Sequence, residues 1–350
     1  MMSYKFPAVK GKQANSEYFI CMVPLGILSK LFISDDNDVG AEFRAQRKLN
    51  HARIPEIKNY ILNNRDGYVF SALAASVDGL LFFRNSELDE NVGIIEISMD
   101  ASFLINDGQH RKAAINAAIE EDGTLKDETI AVVLYKDKGL ERSQQMFTDL
   151  NKHAVITSKS QNALYDSKDP IAILSKKLIK KNDFFRKYTD KEKDNLGKFS
   201  SNIFTLNNIL NANTEIFKYK IDDMEEAESF MYDFWENVVK NIKEWQEMDK
   251  GLLNKKDLRE QYIITQGVAI RAIGMIGHWI YKEKSINMMT HLENLRFIDW
   301  LRNNPDWIGR ALKPNGRISM NGKGVFLTYV EIKRKLGLTI TQEEMYKENL

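Results

Sequence analysis

The sequence predicts an α+β protein whose second half is helical. Short β-branched and aromatic runs alternate with helical patterns through residues 1–165, while residues 170–300 carry long amphipathic helical patterns and few strand signals. Adjacent strand runs without a regular strand–helix alternation argue against a doubly wound sheet. Three parts follow: 1–165, mixed; 166–300, helical; and 301–350, a basic C-terminal segment.

Each element has a local reason. "YFICMVPLGIL" (18–28) reads as a strand, a turn at Pro24 and a short helix. In "FRAQRKLNHARIPEIKNYILNN" (43–64), Ile54, Ile57 and Ile61 share a helical face, and Pro55 fits a first turn, so a helix should start near Arg53. "GYVFSALAASVDG" (67–79), "VGIIEISMDASFLI" and "ETIAVVLYK" (128–136) are strand-like, and "LERSQQMFTDLNKHA" (140–154) is helical. Further on, Phe230, Phe234, Val238 and Ile242 recur at helical spacing.

The 350 residues carry a formal charge of +1, which gives no bulk sign of a nucleic-acid binder but allows a local basic face. One cysteine, Cys21, excludes a disulfide framework and a cysteine-based zinc site within one chain. The five histidines show no metal-ligand spacing, and no metal is expected. The N-terminus lacks an apolar h-region, and the apolar "GVAIRAIGMIGHWIY" is interrupted by Arg271 and His278, so a soluble, cytoplasmic protein is expected.

The most informative stretch is "FLINDGQHRKAAINAAIEE" (103–121), a strand run, a polar pentad and a helical run. Asp107 reads as the cap of the helix and Gly108 as a residue of positive φ. The same residues also suit an anion cradle, in which Gly108 admits a ligand to the backbone, Arg111 offers a planar fork and His110 a second donor. Composition leaves both readings open.

"NDGQHRKAAI" resembles the signature of the DGQHR-domain family, which is related to the ParB/sulfiredoxin-like fold. Two further blocks agree: Gln46 and Arg47 match an upstream Gln-Arg pair, and Phe147, Asp149, Leu150 and Asn151 match a downstream block. The order and spacing of the blocks, and the chain length, are similar to those of the DndB family, found beside DNA phosphorothioate (sulfur) modification genes. The resemblance implies a ParB/sulfiredoxin-like N-terminal domain. It also implies a DNA-binding regulatory protein that represses the modification genes, with DNA and other sulfur-modification proteins as partners, no membrane, and a homodimer on a palindromic operator. Gln46, Arg47, Asp107, Gly108, Gln109, His110, Arg111 and Asn151 are then the nucleotide- or phosphate-binding candidates. A rival reading is an NTPase or nuclease using a nucleoside triphosphate with magnesium, with Asp107, His110 and Arg111 on the phosphate and the ion held by Asp107 or Asp149; no P-loop is present, so any hydrolysis would use the DGQHR turn. A third is a scaffold between modification subunits. Sulfiredoxins place a reactive cysteine where this chain has Gln109, so sulfinic-acid reduction is not expected.

Cys21 lies among apolar neighbours and reads first as a packing residue, with a thiol sensor as the sharper alternative. His278, in an apolar helix, reads as a core residue. Two stretches are basic: one holds Arg44, Arg47, Lys48, Arg53, Lys58 and Arg65. The other holds Arg310, Lys313, Arg317, Lys323, Lys333, Arg334 and Lys335, with Glu331 the only acid between 310 and 335. Such runs are usually solvated faces. The second, with its "KPNGR" and "NGKG" turns, is the candidate DNA-binding segment, and its Lys333-Arg334-Lys335 triplet is expected to contact phosphates. The acidic block "IDDMEEAES" (221–229) supplies compensating charge.

Overall fold

A computed structural model describes residues 2–32, 49–136, 139–152, 157–218 and 220–349. The chain divides into two compact units, Met1–Val155 and Ile156–Leu350.

The first unit is built on strands β1 (Ser3–Gln13), β2 (Ser16–Pro24), β3 (Leu73–Asp78), β4 (Leu81–Asn85), β5 (Val92–Ser98), β6 (Ser102–Asp107) and β7 (Thr129–Lys136). They form one sheet in the order β4-β5-β1-β2-β7-β3-β6. All pairings are antiparallel except β3 with β7. β1 and β2 are joined through Ala14 and Asn15, both at positive φ, the turn geometry that matches strand twist in a two-residue hairpin. Alternation sets the core: Phe6 and Ala8, Phe19, Cys21 and Val23, and Ile130, Val132 and Leu134 point to the buried face. Helices α1 (Leu28–Leu31), α2 (Ile54–Asn63) and α3 (Gln109–Glu121) contribute Leu28, Ile61, Ile115 and Ala118 to the same core. Helix α4 (Leu140–Lys152) lies against β6.

The expected elements appear with two differences. β3 begins only at Leu73, and the run at 92–105 is two strands, because Ser98 Oγ accepts from Asp100 N–H (3.2 Å) and turns the chain. Strands β1 and β4 carry weaker sequence signals. β1 is rich in Lys and β4 holds "LFFRN", so each buries at most alternate residues.

The second unit contains α5 (Lys159–Tyr165), α6 (Pro170–Lys181), α7 (Asp183–Tyr188), α8 (Leu206–Phe217), α9 (Met224–Asn241), α10 (Lys243–Asp249), α11 (Lys255–Gln261), α12 (Gly267–Lys282), α13 (Met288–Leu292), α14 (Gly322–Lys335) and α15 (Gln342–Glu348). A short parallel pair, β8 (Thr189–Asp190) with β9 (Phe204–Thr205), precedes α8. Phe234 and Val238 face the core from α9 as their spacing predicts; Ile242 is also buried but ends that helix. A buried polar relay crosses the core: Trp235 Nε1 donates to Asn213 Oδ1 (2.8 Å), whose Nδ2 donates to Ser175 Oγ (2.9 Å). The last fifty residues share this core through Trp307, Leu312, Val325, Val330 and Leu336. α14 runs through the basic stretch because Val325, Tyr329 and Ile332 recur at helical spacing beneath the charges.

Helices α8 and α12 meet at backbone distance: a Cβ added at Gly274 would lie 2.3 Å from the carbonyl oxygen of Ala212. Gly274→Ala should therefore destabilise the protein by roughly 1–3 kcal/mol despite the higher helix propensity of alanine. A thermal melt read by far-UV circular dichroism checks this, and a stabilised variant would show that the helices are further apart.

Candidate functional site

The polar pentad occupies the turn from β6 into α3. Gly108 is the N-cap residue, at φ 102°. A side chain there would be strained, and its Cβ would lie 2.3 Å from Leu73 Cδ2 and 3.2 Å from Arg111 Nη2. Glycine is thus required by conformation and by space.

Arg111 points back into the fold, its side chain 16 % exposed. Its Nη1 donates to Ser71 O (2.5 Å), Ser71 Oγ (2.5 Å) and Ala72 O (2.9 Å), and its Nη2 to Asp107 Oδ2 (2.6 Å). Asp107 does not cap α3, which starts without a side-chain cap; its carboxylate is taken by Arg111. The fork expected to face a phosphate is instead turned inward. Both terminal nitrogens serve internal partners, and a cation that close to a helix N-terminus is tolerable because its own carboxylate offsets it.

His110 Nε2 accepts from the backbone N–H of Asn50 (2.9 Å), tying the lead-in of α2 to the start of α3. The two helices are held again at the other end, where Lys58 pairs with Glu121, and Arg65 with Asp122 (3.1 Å) and Glu128 (2.8 Å). So Lys58 and Arg65 of the first basic stretch are internal ties. Asn106, which lies outside the sequence-predicted site, is buried beside the pentad and donates to Ser76 Oγ (2.7 Å) and Met146 Sδ (3.0 Å). A polar residue at the end of "FLIN" is its only sequence signal. Gln109 opens α3 and is half-buried, and Asp149 on α4 accepts from Gln145 Nε2 (2.6 Å). Gln46 and Arg47, with Arg44 and Lys48, lie outside the described residues, as does the side chain of Asn151. Among the described residues there is no cluster of three or more metal-ligating side chains.

Cys21 is buried in the middle of the sheet, between Ala8 and Val132, and burial pushes its thiol up to about 12. A thiolate sensor needs exposure and a lowered pKa, and this site has neither. His278 Nδ1 meets Ile216 O at 2.7 Å, and burial lowers its pKa, consistent with a core residue.

The second basic stretch is divided by the fold. Lys333 has 0 % side-chain exposure. Its Nζ donates to both Glu344 oxygens (2.8 Å each) and lies 3.2 Å from the Trp279 ring centroid. Burial lowers the Lys333 pKa. Burial also opposes ionisation of Glu344, but hydrogen bonds from Lys333, Tyr329 Oη and Thr341 N–H hold its carboxyl below the usual range. Arg334 binds Glu331 (2.5 Å) and Glu348 (2.7 Å), Lys335 binds Asp306 (2.6 Å), and Arg310 approaches Glu331 (3.5 Å) and Glu348 (3.6 Å). The triplet expected to contact phosphates instead has each of its charges paired within the fold, mostly with acids outside residues 310–335. Some turn N–H groups are committed, with Gly316 donating to Lys313 O, Arg317 to Asn315 Oδ1 and Gly324 to Asn321 Oδ1, whereas those of Gly322 and Lys323 at the start of α14 have no acceptor among the described residues. Lys313, Arg317 and Lys323 differ: all three are exposed and form no ion pair with a described residue.

A family model described as DndB, DNA-sulfur modification-associated, matches residues 6–339. The chain belongs to the DndB family. No curated protein and no solved structure matches it significantly. Membership connects this DndB-family chain with DNA sulfur modification and spans both units. Among the described residues no helix is long and apolar enough to cross a membrane.

Two outcomes test the site geometry. Arg111→Ala should lower stability by roughly 1–2 kcal/mol, since it removes the hydrogen bonds to Ser71, Ala72 and Asp107 while leaving the exposed Ser71 and the half-exposed Asp107 open to water, and Arg111→Lys should recover only part, lacking the planar fork. Urea unfolding of both variants measures this; wild-type midpoints would return the guanidinium to ligand binding. Cys21 should resist iodoacetamide at about pH 8 in the native protein, because its thiolate is suppressed by burial, and react fully in urea, as read by intact mass. Native labelling would revive the sensor.

Proposed function

We propose that this DndB-family protein is a DNA-binding regulator of a DNA sulfur modification system, acting as a repressor of the modification genes. The observation that carries the DNA contact is the trio Lys313, Arg317 and Lys323, exposed cations without an ion partner among the described residues, in a segment whose other cations are neutralised. Three such charges suit backbone phosphates and supply affinity with little sequence information. Sequence preference would come from a dimer that doubles the contact on a palindrome, with other sulfur-modification proteins as further partners in the cytoplasm.

In this reading the β6–α3 turn belongs to a ParB/sulfiredoxin-like domain but serves as a frame. The rival reading, a magnesium-dependent NTPase or nuclease at the turn, has less support, because Arg111 and Asp107 are each other's partners.

Replacing Lys313, Arg317 and Lys323 by Ala should weaken binding to a duplex from upstream of the modification genes. It should also flatten the plot of log K against log salt by up to about 0.9 for each phosphate no longer neutralised. Fluorescence anisotropy at several salt concentrations measures both. Unchanged affinity and slope in a folded variant would remove this segment from the DNA surface.

A further inference from the structure

A cleft of about 650 Å³ opens in the second unit between the starts of α8 and α12 and the 194–198 segment. That volume lies within the range of small-molecule sites. Its walls carry an excess of hydrogen-bond donors. Lys159 and Lys198 border it and form no ion pair with a described residue. Arg259, which holds the wall by donating to Gly197 O (2.9 Å) and Lys198 O (2.6 Å), keeps a buried Nε without an acceptor.

α12, sixteen residues long, begins here without a side-chain cap, and the N–H groups of Gly267 and Val268 have no acceptor among the described residues. Thr265, 5 % exposed, also borders the cleft; its hydroxyl oxygen has only a 3.5 Å contact from Gln266 Nε2, and no described acceptor takes its proton. Asn208 uses its Oδ1 for the Thr205 N–H (3.1 Å), which leaves Nδ2 beside Gly267.

Acceptors are fewer. Asp194 is already engaged by Lys159 N–H (2.8 Å) and Ser160 N–H (2.9 Å), Arg271 is held by Glu215, and Glu260 is exposed. The cleft therefore suits an acceptor-rich anion.

We infer that this cleft binds a nucleoside phosphate. The phosphate would sit at the start of α12 with Lys159 and Lys198 as counter-charges; Asn208 Nδ2 offers a base a donor, and the side-chain oxygens of Asn211 and Gln266, whose amide nitrogens donate to Asn207 Oδ1 (3.3 Å) and Arg259 O (3.0 Å), offer it acceptors. Ile318 and Met320, on the same loop as Lys313 and Arg317, form part of the wall, so the ligand touches the segment assigned to DNA. The site itself does not depend on that assignment.

The test is calorimetric titration of the full chain with ATP, and separately with inorganic phosphate, in the absence of DNA. Two variants accompany it. Asn208→Asp keeps the acceptor that serves Thr205 and suits a helix N-terminus, but adds a negative charge to the cleft. Lys198→Glu reverses an exposed charge. Saturable ATP binding, weaker phosphate binding, and a loss of ATP affinity of roughly tenfold or more in both variants at unchanged melting temperature are expected. No ATP binding up to about 1 mM, or an affinity unchanged in both variants, would overturn the assignment.

Discussion

The guanidinium of Arg111 joins three pieces of backbone that are distant in sequence or direction: the approach to β3 at Ser71 and Ala72, the end of β6 at Asp107, and the first turn of α3. β3 and β6 are antiparallel neighbours, and β3 pairs with β7 in parallel. A parallel neighbour cannot be reached by a tight hairpin, so its entry must be held by something other than a short turn. Arg111 supplies that hold, and Gly108 makes room for it. Asn106, against Ser76, fixes the same pair of strands one residue before Asp107. The guanidinium of a motif that looks made for an external anion is therefore held internally, by carbonyls, a hydroxyl and one carboxylate.

The second unit applies the same logic to its charges. A buried lysine is tolerable only with a partner, and Lys333 has Glu344 in bidentate contact and an aromatic face beneath it. The Lys333–Glu344 pair and the Arg334–Glu348 pair tie α15 to α14. The positive charge of the C-terminal stretch is thus used largely in closing the fold. What remains for a polyanion is the loop before α14 and its first turn, a smaller surface than the sequence alone suggests.

The α+β character, the helix at Pro55, the β6–α3 turn with its positive-φ glycine, and the helical second half are legible in the sequence because each rests on local chemistry: periodicity, proline or glycine. The roles of Arg111 and Lys333 are not. Both depend on partners separated by many residues, Ser71 forty positions upstream and Glu344 eleven positions downstream, just beyond the basic stretch. Helix α14 is obscured because glycines and lysines at its ends mask the buried spacing of Val325, Tyr329 and Ile332. The cleft between α8 and α12 leaves no motif at all, since its walls come from segments more than a hundred residues apart.

The proposed reading gives recognition to the loop before α14 and architecture to the β6–α3 turn. Hydrogen exchange of the full chain, with and without a duplex from upstream of the modification genes, separates the two most directly. Added protection of peptides covering residues 313–323, with the 106–113 segment already protected and unchanged, is the predicted result. Protection appearing only at 106–113, with 313–323 unaffected, would contradict it.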